Sequence, residues 1–116
     1  MITSNVSIDL SSILPQVQES VDKTQIVLDE QVLKDSNYFI PFDTANLRDS
    51  SLIASEIGKG VLLWDTPYAK RLYWNPQYNF SKDSNPHASG LWFDHAKAMN
   101  LPAWIALTQT EVENNL

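Results

Sequence analysis

A chain of 116 residues with 43% hydrophobic content is one domain's worth of material, enough to bury a modest core without covalent staples. It holds no cysteine, which excludes disulfides and thiolate metal sites, and no apolar run near the roughly 20 residues that a membrane-spanning helix needs. The net charge of −6 is uneven, nine acids against three bases over 1–58 and five of each over 59–116, which argues against tight binding to a phosphate backbone.

No basic start followed by an apolar block opens the chain, so no secretory signal is expected and the protein should act where it is made. Residues 1–12 read as a flexible arm in which Val6, Ile8 and Leu10 alternate like a short strand. Ser11 or Ser12 can cap the helix that follows, with Pro15 tolerated in its first turn. Leu14, Val17, Val21, Leu28 and Val32 fall at helical spacing and predict a helix of roughly 30 Å, running to about Asp35 and ending near Asn37. Beyond it, Pro41 pushes Tyr38, Phe39 and Ile40 toward extended geometry, and Asp43-Thr44 reads as a turn or cap.

The runs 51–57 and 61–64 are β-prone and joined by Gly58-Lys59-Gly60, which predicts an antiparallel hairpin. Ile53 and Ile57 would face inward, and the second strand would be buried on both sides. Thr66 as cap and Pro67 at the first position restart a helix, with Tyr68 and Leu72 on its inner face. A long loop from Asn75 to Ser89 follows, of a length often tied to function or mobility. A helix to Met99, a break at Asn100-Leu101-Pro102 and a last short helix over Trp104 to Gln109 complete the order, with 111–116 as a flexible tail.

The fold expected is therefore α+β: a long N-terminal helix, a small antiparallel sheet built on a β-hairpin, and further helices in the C-terminal half. It forms one domain over 13–110. Two strands alone are marginal, so more strands must come from the arm, from 38–42, from 78–81 or from a neighbouring copy, itself a hint of oligomerisation.

Chemistry-bearing residues are sparse. His87 lies beside Pro86 in the loop and His95 follows Asp94 on the late helix, but no spaced ligand pair accompanies them, and Asp83 alone does not complete a metal set. Neighbours on a helix point about 100° apart, so Asp94 is badly placed to orient His95. Ser50-Ser51 with His87 would be a nucleophile–base pair only if the fold united them. No phosphate-binding loop, dinucleotide fingerprint or nucleophile elbow is present, so the expectation is no enzyme, no cofactor and no metal. Tyr68, Tyr73, Trp74 and Tyr78 mixed with Lys70 and Arg71 have the composition of an interface hot spot. Tyr68, Tyr73 and one tryptophan serve equally well as core between helix and sheet. Trp92, Phe93 and Trp104 read as core.

Four segments carry a resemblance to a known family: 31–37 (Gln-Val-Leu-Lys-Asp-Ser-Asn), 41–50 (Pro-Phe-Asp-Thr-Ala-Asn-Leu-Arg-Asp-Ser), 64–71 (Trp-Asp-Thr-Pro-Tyr-Ala-Lys-Arg), and Trp92-Phe93 with Ala96-Lys97. Together, in this order over about 14–105, they resemble the minor capsid proteins of long-tailed phages of Gram-positive bacteria, among the neck and tail-completion proteins. Ala45 stands where that family's proline-turn segment usually has glycine, so the turn here reads as a capped helical one.

The resemblance implies a structural protein at the head–tail junction of the virion, present in the host cytoplasm during assembly. Its partners would be copies of itself in a ring or collar and the connector, stopper, terminator or tail-tube proteins. DNA would be passed without sequence-specific binding, and no membrane is involved. Arg48, Tyr68, Arg71, Trp74 and Tyr78 are the expected protein contacts, with 75–87 ordering on assembly. The rival reading is an acidic monomeric module that masks a basic partner.

Overall fold

The computed structural model describes residues 7, 11, 13–41, 45–75 and 86–116. Among the described residues four helices follow one another: α1 (Ile13–Asn37), α2 (Ala45–Ala54), α3 (Ala69–Tyr73) and α4 (Trp92–Asn114). The expected arm, the Asp43-Thr44 turn, Tyr78 and most of the loop 75–87 lie outside the described residues.

The α+β expectation is overturned, because no strand forms among the described residues. Ser51 to Ala54 belongs to a helix instead of a strand. The hydroxyls of Ser50 and Ser51 donate to the carbonyls of Leu47 and Arg48, three residues back, and so reinforce helical turns. Only the reversal itself survives from the hairpin. Glu56 and Val61 form one isolated antiparallel bridge around Gly58 and Gly60, whose φ values of 95° and 73° suit glycine alone. The pairing goes no further, since the Leu63 amide is taken by the Ser55 hydroxyl at 2.9 Å.

The fold is organised by α1 and α4, which lie antiparallel against each other. Two hydrogen bonds set their register: Trp104 Nε1 donates to Asp35 Oδ2 at 2.7 Å, and Ser20 Oγ donates to the Val112 carbonyl at 3.0 Å. The late helix does not break at Asn100-Leu101-Pro102 but continues to Asn114. Pro102 is exposed there, so the Ala98 carbonyl that loses its amide partner can turn to water.

The core sits at the C-terminal end of α1. Ile40, Leu47, Ala69 and Trp92 are buried together, with Phe39, Trp64, Tyr68, Leu72 and Tyr73 packed on them. Asn37 ties three elements there: its amide nitrogen donates to Ser51 Oγ at 3.1 Å, and its oxygen accepts Trp64 Nε1 at 2.9 Å. Helix α3 is shorter than Thr66-Pro67 suggests, because Thr66 to Tyr68 form a turn whose Thr66 carbonyl accepts the Ala69 amide. Ahead of α4, Leu91 takes a left-handed conformation (φ 47°, ψ 41°) that branched side chains seldom adopt, its amide donating to the Tyr73 carbonyl at 2.9 Å.

Candidate protein-contact site

An open groove of about 980 Å³ runs between α1, α4 and the segment 60–74. Leu28 and Val32 form one wall, and Leu101, Trp104 and Ile105 form the other. Trp64, Tyr73 and Trp92 make its floor at the core end, in edge-to-face contact: Tyr73 to Trp92 at 4.7 Å and Trp64 to Trp92 at 5.8 Å between ring centres. Trp74 packs edge-on against Tyr73 at 5.0 Å and is 63% exposed, so a tryptophan stands free at the rim.

The polar groups around this groove are few and mostly committed. Asp29, on α1, is buried; its Oδ2 accepts the amides of Gly58 and Gly60 at 2.8 and 2.9 Å, and its Oδ1 accepts Gln25 Nε2 at 2.6 Å. Tyr73 Oη donates to Asp94 Oδ2 at 3.3 Å. Burial pushes the Tyr73 phenol up to about 12, and the neighbouring Asp94 carboxylate adds to the rise. The Trp92 indole N–H is buried with no hydrogen-bond partner among the described residues, a cost of about 1–3 kcal/mol. Lys70 and Lys97 stand exposed in the lining with no ion-pair partner among the described residues.

The residues expected to make contacts separate into three settings. Trp74 is at the groove, and Arg71 is exposed on α3 next to Lys70. Tyr68 is half-buried against the core, as its alternative reading allowed. Arg48 projects from α2 elsewhere, over a shallow hollow shared with Glu30, Lys34 and Leu52. Tyr78 lies outside the described residues. Leu28, Val32, Leu101 and Ile105 were not anticipated as site residues. Reading Pro102 as part of a continuous helix would have shown Leu101, Trp104, Ile105 and Thr108 as one face.

The suspected serine–histidine pair is not assembled. Both hydroxyls serve α2 locally, and Ser50 Oγ also accepts the Asp65 amide at 3.0 Å. His87 instead stacks on Tyr38 at 4.4 Å between ring centres, with Nε2 and Tyr38 Oη sharing a 2.7 Å hydrogen bond. His95 Nδ1 pairs with Ser89 Oγ at 2.8 Å, while Asp94 turns to Tyr73. Among the described residues, no three His, Asp or Glu side chains gather as a metal site, and no helix is long and apolar enough to cross a membrane.

What this arrangement offers is an aromatic-floored, apolar, solvent-open surface on a helical scaffold. The chain belongs to a family of minor capsid proteins, whose family model matches residues 4–111. It is accordingly a structural protein of the virion. No curated protein and no solved structure matches the chain.

Proposed function

We propose that this minor capsid protein is a neck component of a tailed phage, joining head to tail through contacts with copies of itself and with neighbouring neck proteins in a ring or collar. The observation that carries the reading is the open groove with Trp74 at its rim: apolar and aromatic surface of this extent, left to solvent, is characteristic of a subunit completed by its neighbours. Membership of a capsid family supplies the setting. The job is passive: to keep a filled particle closed and hold the tail on axis, without turnover of any substrate.

The test is a phage carrying Arg71→Glu together with Trp74→Ala. Both side chains are exposed, so the fold should survive. DNA-filled heads lacking tails are the expected product. Normal particles with normal infectivity would remove these residues from the contact surface, and absence of the protein from purified virions would end the proposal.

A further inference from the structure

Helix α4 begins where its sequence gives it least reason to. Its N-cap residue is Leu91, which supplies no side-chain hydrogen bond and lies in the left-handed region (φ 47°, ψ 41°), whereas caps are normally polar and extended. The amides of Trp92, Phe93 and Asp94 have no acceptor inside a helix that starts there. Asp94, the acid of the first turn, turns its Oδ2 to Tyr73. Six residues upstream the sequence carries a better start, Asn85-Pro86, a cap residue followed by proline at the first helical position. From there Ala88, Trp92 and Ala96 fall four apart on one line, and all three are buried.

Ties to the end of α1 and to α3 keep 86–91 out of the helix. The Ser89 amide donates to the Phe39 carbonyl at 2.9 Å, and the Leu91 amide donates to the Tyr73 carbonyl at 2.9 Å. His87 stacks on Tyr38 at 4.4 Å between ring centres and shares a 2.7 Å hydrogen bond with it. Ser89 Oγ pairs with His95 Nδ1 at 2.8 Å, and Phe39 meets the His95 ring edge-on at 5.9 Å. In a longer helix the Leu91 amide would turn to the His87 carbonyl, and Trp92, Phe93 and Asp94 would gain the carbonyls of Ala88, Ser89 and Gly90. Gly90 inside a helix, and the ring stack given up, weigh the other way. The short form wins in the free chain, against an alternative of similar bonding.

We infer that 86–91 is a two-state element: α4 has a short form beginning at Trp92 and a long form beginning at Pro86, with Tyr38 and His87 as the clasp between them. Passing to the long form returns Leu91 to ordinary helical geometry and lengthens the helix by about 9 Å. Tyr38 is 51% exposed, so a partner that takes up its ring opens the clasp from outside and extends α4. The device goes beyond the neck reading and does not depend on it, since the equilibrium belongs to the purified chain.

The experiment is backbone NMR on the labelled full chain, reading Cα secondary shifts over 86–91 and hydrogen exchange at Trp92, Phe93 and Asp94. In the wild type 86–91 should be non-helical, with these three amides exchanging fast. Tyr38→Leu and His87→Ala undo the clasp from its two sides. In each, 86–91 should take helical shifts, and exchange at the three amides should slow about 10-fold or more. Adding Leu91→Gly should reverse this, because glycine suits the left-handed region and disfavours a helix interior, moving the balance about 30-fold toward the short form. Non-helical shifts over 86–91 in a folded clasp variant overturn the inference. So does a wild type already helical there, or a helical segment that persists with Leu91→Gly.

Discussion

Asp29 of α1 holds Gly58 across the turn by accepting its amide at 2.8 Å, and the same oxygen accepts Gly60 at 2.9 Å. A reversal with a single backbone bridge is thereby fastened to the long helix by one buried carboxylate. Charge-assisted bonds of this kind are stronger than neutral ones, and their loss leaves two amides and Gln25 without their acceptor. Asp29→Ala should therefore cost about 2–4 kcal/mol in urea unfolding, while Asp29→Asn, which keeps an acceptor oxygen, should cost less. Equal effects of the two changes would show that the carboxylate's charge, not its acceptor geometry, secures the turn.

Trp104 joins α4 to α1 through its indole N–H on Asp35, and its ring also stacks on Phe93 at 6.2 Å. Trp104→Phe keeps much of the apolar ring but removes the donor, leaving Asp35 with Gln31 at 3.1 Å. A loss of about 1–3 kcal/mol is expected in chemical denaturation. Asp35→Ala combined with Trp104→Phe should cost less than the sum of the single changes, because the two groups share one interaction.

Pro102 stands in the interior of α4, where proline forfeits an amide and crowds the carbonyl four residues back. Its side chain is exposed, so no packing is lost with it. Pro102→Ala should raise stability by about 1–3 kcal/mol and shift the thermal midpoint upward. An unchanged midpoint would mean that the helix has already absorbed the proline by bending.

Tyr73 titrates late. Its folded value is raised to about 12 from 10, first by burial and then by Asp94, so the folded state keeps the phenolic proton longer than the unfolded chain does. The stabilisation is complete below the unfolded value, pH 10, and is lost as the pH rises through about 12. Ultraviolet difference titration should show Tyr73 ionising well above the ordinary value of 10. In Asp94→Asn it should move only part of the way back, since burial is the larger cause.

The long first helix was legible because its apolar spacing from Leu14 to Val32 repeats over about five turns and Pro41 marks the far side of its end. The burial of Trp92 and Trp104 was legible for the same reason: bulky rings at helical spacing need cover. The segment 51–57 was not. Two β-prone residues, Ile53 and Ile57, are too few to separate strand from helix by period, and what decides here is non-local or polar: Ser51 bonding both back to Arg48 and across to Asn37. The run 61–64 read as a doubly buried strand, yet Val61 and Leu63 are 42% and 47% exposed and Trp64 faces the aromatic floor. Pro102 misled in the other direction, because its ordinary meaning as a stop is suspended where the outer side of a helix faces water. Of the site, Trp74 could be picked out from composition. The groove around it could not, since its walls come from residues some 70 positions apart in the chain, brought together only when α4 returns along α1.

That return has a bearing on synthesis. Helix α1 finds its long mate only in α4, so a nascent polypeptide cannot complete this packing until Asn114 has been made. Until translation passes that point, the side of α1 that packs on α4 waits uncovered, a state prone to misassociation. Shortened products that stop before α4 should aggregate or be degraded instead of entering particles.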